Sequence, residues 1–118
     1  MLAQDFELVQ NGNVAVVTIG LSELSGQVMQ EMVADFTLAM RHDNAVYFVL
    51  DLTAVEYMDS GCLGEMVGFL QDLEHVRGRI ALAGCCDRVA FLFRATRLDA
   101  VFSLFDDVQQ AVEEMSGV

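Results

Sequence analysis

The sequence predicts an α/β domain: a mixed, largely parallel sheet that opens on an antiparallel hairpin and has about four helices packed on it. Two strand-like runs, 6–10 and 14–19, flank Asn11-Gly12-Asn13, a turn signal that joins neighbouring antiparallel strands. Residues 46–50, VYFVL, form an unbroken apolar run, the pattern of a strand covered on both faces. After the hairpin, helical and strand-like periods alternate to the end of the chain. That alternation requires crossovers, and crossovers give parallel pairing.

Taken in order, the hairpin leads into a connector over 21–26. Ser25 is the expected N-cap of a first helix running to about Arg41, with Val28, Met29, Met32, Val33, Phe36 and Met40 along one face. His42-Asp43-Asn44 is a polar break before the central strand, 46–50. A short link follows, and Asp59-Ser60-Gly61 opens a second helix whose Cys62, Leu63, Met66, Val67, Phe69, Leu70 and Leu73 share an apolar arc. The opposite arc, at about 100° per residue, holds Gly61, Gly64, Gly68, Gln71, Asp72 and His75. An interior glycine costs a helix about 1 kcal/mol relative to alanine, so Gly64 and Gly68 point to the close approach of another backbone or a partner surface. Gly78 is expected to cap this helix within Arg77-Gly78-Arg79. Residues 80–83 are a fourth strand ending at Gly84. Asp87 is expected to cap a third helix with Val89, Leu92, Phe93 and Thr96 at helical spacing and Arg94 and Arg97 near its end. A short last strand over 101–105 leads to Asp106-Asp107 and a terminal helix, with Val108, Ala111, Val112 and Met115 inward. No repeat, linker or proline interrupts the chain, so residues 1–118 are expected to form one domain.

A formal charge of −12, from 18 acidic residues against six arginines and no lysine, argues against a nucleic-acid surface. The same acidity suits a soluble protein whose partner presents a basic patch. No basic-then-apolar leader or membrane-length run is present, so neither a signal peptide nor direct membrane insertion is expected. Cys62, Cys85 and Cys86 are odd in number and lack metal-site spacing, which points to reduced thiols in a cytoplasm. His42 and His75 do not complete a ligand set, and neither a metal nor a cofactor is expected. Asp51, at the end of a strand, has no acidic pair or strand-end lysine of the kind a phosphoacceptor aspartate needs; it is expected to be structural. An enzyme reading lacks a base, a phosphate loop and a metal set.

Val49-Leu50-Asp51-Leu52, Met58-Asp59-Ser60, Leu63-Gly64 and Leu98-Asp99-Ala100-Val101-Phe102 together resemble the STAS-domain family, specifically its small stand-alone anti-sigma factor antagonists. The resemblance covers nearly the whole chain. It implies that Ser60 is a phosphoacceptor for a partner that is both anti-sigma factor and serine kinase, that the unphosphorylated form binds this partner and frees the sigma factor, and that a metal-dependent serine phosphatase restores it. The family's Asp-Ser-Ser-Gly-Leu-Gly reads here Asp59-Ser60-Gly61-Cys62-Leu63-Gly64, and its Glu-Leu-Asp reads Glu23-Leu24-Ser25.

On this reading Ser60 is the phosphorylation site, and Ser25, Met58, Asp59, Gly61, Gly64 and Gly68 are candidates for the partner surface. The function expected is a non-enzymatic, phosphorylation-switched regulator. The alternative is a STAS subunit of a membrane lipid-transport or other assembly, which would need no phosphorylation.

Overall fold

Residues 5–117, the part of the chain that the computed structural model describes, begin with the expected hairpin, β1 (Phe6–Asn11) and β2 (Val14–Ile19). Asn11 pairs with Val14, so the loop is Gly12-Asn13. Only Gly12 of these two has a positive φ, +64°. A glycine in the first loop position is the pattern of a type II′ turn, whose twist suits the flanking strands. After it come β3 (Glu23–Leu24), α1 (Gly26–Asp43), β4 (Tyr47–Asp51), β5 (Tyr57–Met58), α2 (Ser60–Glu74), β6 (Arg79–Ala83) and α3 (Asp87–Ala95). A 3₁₀ turn at Leu98–Ala100, then β7 (Ser103–Phe105) and α4 (Val108–Met115), complete the order.

The main sheet has the order β1-β2-β4-β6-β7, antiparallel at the first pair and parallel at the other three. β4 is therefore the central strand, and its alternating residues serve both faces. Phe48 and Leu50 join the core beneath α1, α2 and α3, whereas Val49 joins a second cluster with Ala111 and Met115 of α4. Three helices cover one face and one covers the other. On the larger side Phe36 lies 5.6 Å from both Phe48 and Phe69, centroid to centroid, and Phe48 meets Phe69 edge-on at 5.0 Å. These rings fasten α1 and α2 to the sheet and to one another.

Five local expectations are corrected. The connector over 21–26 contains β3, which pairs in parallel with β5 as a separate two-stranded sheet. Gly78 does not supply the left-handed residue after α2; Arg77 does, at φ 61°. Gly78 is required for space instead, because a Cβ there would run into the Val46 carbonyl oxygen and come within 2.9 Å of Leu73 Cδ2. Cys86, not Asp87, is the N-cap of α3, and it makes no side-chain cap bond; Asp87 is the first helical residue, where its charge meets the helix dipole. Thr96 is an exposed C-cap residue whose hydroxyl donates to the Leu92 carbonyl at 2.7 Å, and the last strand starts at Ser103, after the 3₁₀ turn.

Candidate functional site around Ser60

Two helix N-termini meet at the site. Ser25 caps α1, its Oγ accepting the Val28 N–H at 3.2 Å, and Asp59 caps α2, its Oδ1 accepting the Cys62 N–H at 2.8 Å. Each cap satisfies a donor that the helix itself leaves unpaired. The two caps are held together by the small β3/β5 sheet: the Tyr57 N–H donates to Ser22 O at 3.1 Å, and the Asp59 N–H donates to Leu24 O at 3.2 Å. Directly beyond, Gly26 and Gly61 abut. A Cβ on Gly61 would lie 3.3 Å from Gly26 Cα, and one on Gly26 would lie 2.9 Å from the Gly61 carbonyl carbon. Absence of side chains at this pair lets the first turns of α1 and α2 touch.

Ser60, the first residue of α2, is exposed. Its hydroxyl stands where backbone N–H groups and the positive end of the helix dipole favour an anion. Gly64 and Gly68 follow at four-residue intervals on the same side of α2, both exposed and both with nothing within 4 Å of a built Cβ. They form a bare strip running about 12 Å from Ser60 at 1.5 Å per residue. Beside the caps, Glu23, Leu24, Ser25, Tyr57 and Asp59 line a cavity of about 230 Å³.

The remaining candidates divide. Met58 points inward at 4 % exposure and belongs to the core; the outward residue of its dipeptide is Tyr57, which is 51 % exposed. The alternation of β5 makes that exchange, and two residues are too few to carry a period that shows it in the sequence. Gly61 has a reason inside the chain, the contact with Gly26. Asp51 is structural: its Oδ1 accepts from both Thr53 N, at 3.1 Å, and Thr53 Oγ1, at 2.6 Å. Cys62 lies two residues past Ser60 but faces the core. Burial, reinforced by the charges of Asp59 and Glu65, pushes its thiol up to about 12, so it is not a thiolate nucleophile near neutrality. Among the described residues no three His, Cys, Asp or Glu side chains gather as a metal site, and no helix is long and apolar enough to cross a membrane.

Comparison with known proteins finds the STAS domain model matching residues 5–111. The chain belongs to the STAS domain family. This STAS chain is 35% identical over 69 residues to a Thermotoga neapolitana protein named as a homologue of an anti-sigma factor antagonist, covering 58% of this chain and 61% of that one. It is 35% identical over 68 residues to the anti-sigma-B factor antagonist of Listeria monocytogenes, covering 58% of this chain and 56% of that one. The matches thus span about three-fifths of each curated relative. Among solved structures, the anti-sigma factor antagonist SpoIIAA superposes in its unphosphorylated form with a TM-score of 0.76 at 19% identity, over 96% of this chain and 99% of the other. SpoIIAA of Bacillus in its phosphorylated form gives 0.72 at 19% identity, over 92% and 97%. At that identity the likeness is one of fold. The mixed sheet with its antiparallel opening and four helices is the STAS arrangement.

Proposed function

We propose that this STAS domain is an anti-sigma factor antagonist that binds an anti-sigma factor/serine kinase while Ser60 is unphosphorylated and releases it once Ser60 carries phosphate. The observation that carries the reading is the placement of an exposed serine as the first residue of α2, beside the joined caps of two helices. Relatives named anti-sigma factor antagonists, and a structural neighbour known in phosphorylated and unphosphorylated forms, support it.

The chain acts as a substrate and a ligand, not as a catalyst. The kinase supplies the base and the ATP; Ser60 Oγ loses its proton, forms the bond to the γ-phosphorus, and ADP departs. The product carries about −1.5 to −2 charge at neutral pH. Its oxygens face the free N–H groups of the first turn of α2, so the fold tolerates the group. The partner surface does not, because a surface that must shed water on binding now holds a dianion close to Asp59 and Glu23. A serine phosphatase returns the hydroxyl and the binding form. Such a cycle belongs in the cytoplasm, with sigma factor and kinase.

Incubation with the anti-sigma kinase from the same genome and ATP tests this. One phosphate should map to Ser60, the complex should dissociate as it accumulates, and Ser60→Ala should bind without being modified. Transfer to another residue, or binding indifferent to phosphate, would overturn the reading.

A further inference from the structure

A second surface borders the first across Tyr57. On its far side Tyr57 lines an apolar groove of about 150 Å³ with Met58, Arg88, Val89, Phe91 and Leu92, the size of cavity that admits a benzene ring. Phe91 is 66% exposed on α3, more than any other large apolar side chain among the described residues, and Tyr57 stands 51% exposed opposite it. Arg88 closes one end, its Nη1 donating to the Glu56 carbonyl oxygen at 3.5 Å. Arg94, also exposed, lies one turn beyond Phe91. On the helix Phe91 sits about 60° from each of the two arginines, so α3 displays an aromatic ring between two guanidinium groups. Three of the six arginines of a chain with net charge −12 fall within residues 88–97. No acidic residue falls within 88–98, but the exposed Asp87 and Asp99 flank that stretch, and Arg94 lines a separate cavity with Asp87 and Asp106.

We propose that this groove is a second anchoring point for the protein that engages Ser60, and that it receives one aromatic or leucine side chain flanked by carboxylates. The occupant follows from charge complementarity with Arg88, the one charged side chain lining the groove, and from continuity, since Tyr57 lines both this groove and the cavity beside Ser25 and Asp59. An exposed aromatic between arginines has the composition of an interface hot spot. Anchoring here is independent of the charge at Ser60, so it sets how tightly the unphosphorylated form is held. The proposal rests on the kinase-binding reading above.

The test is calorimetric titration of the purified anti-sigma kinase of the same genome with wild type, Phe91→Ala, Arg88→Glu and Ser60→Asp. Phe91→Ala and Arg88→Glu should each weaken binding about tenfold or more with unchanged melting temperature, and added salt should weaken wild type more than Arg88→Glu. If Ser60→Asp weakens binding while Phe91→Ala and Arg88→Glu leave it unchanged, the groove is not an anchor and the Ser60 reading stands. If wild type does not bind the kinase, both fall. A dimer of the free protein that Phe91→Ala dissolves would put a second copy in the groove and overturn the assignment.

Discussion

Gly26 and Gly61 touch backbone to backbone: a methyl group on Gly26 would sit 2.9 Å from the carbonyl carbon of Gly61 and 3.0 Å from its Cα. Neither neighbour is a side-chain tip that could swing aside. Gly26→Ala should force α1 and α2 apart and destabilise the protein by about 1–3 kcal/mol, measured as a lower urea midpoint. If the helix-propensity gain outweighs the clash and the midpoint rises, the junction is looser than its geometry states.

Gly64 and Gly68 should behave in the opposite way. Both face open solvent, so Gly68→Ala is expected to stabilise the free domain by up to about 1 kcal/mol. Gly68→Gln should leave it folded and weaken the kinase complex. Melting curves beside binding titrations separate these effects, and unchanged affinity for Gly68→Gln would remove the strip from the partner surface.

Removal of the two caps should cost similar amounts. Ser25→Ala and Asp59→Ala each delete one acceptor for an end-of-helix N–H, worth about 1 kcal/mol. Ser60→Ala deletes no cap bond, and its denaturation midpoint should match wild type.

Alkaline stability should follow the thiols. Burial raises Cys62 from 9.0 to about 12, and burial beside Cys86 raises Cys85 from 9.0 to about 11. The native protein therefore keeps protons that the unfolded chain gives up. Stability from this source is whole below about pH 9 and declines as pH rises towards 11–12. Unfolding free energies measured from pH 8 upward should fall along that window, less steeply in Cys62→Ala; an identical slope in the variant would contradict the burial argument.

The main sheet was legible because its strands and helices each bury a long face. The run at 46–50 could satisfy its apolar residues only in the middle of a sheet, and Met29, Met32 and Phe36 only on a covered helix face. The β3/β5 pair was not legible, because two residues carry no period and the pairing is decided by backbone groups brought together from 23–24 and 57–58. Gly78 misled for a related reason: the sequence marks the glycine but not whether a turn or a neighbouring carbonyl demands it. At the site, the exposure of Ser60 followed from its place before an apolar helix. The contact of Gly61 with Gly26, and the exposure of Tyr57 in place of Met58, depend on which segment lies alongside, and no local pattern encodes that.

The strand order also says how the chain can assemble. β1 and β2 are joined by two residues and can zip within microseconds. Every later pairing in the main sheet must wait for a crossover: β4 cannot dock on β2 until the 18 residues of α1 have been laid across the sheet, nor β6 on β4 before the 15 of α2. Non-local closures of this kind set folding rates. Until β4 docks, the edge of β2 that it will cover carries unpaired amides, the kind of edge on which another chain can pair.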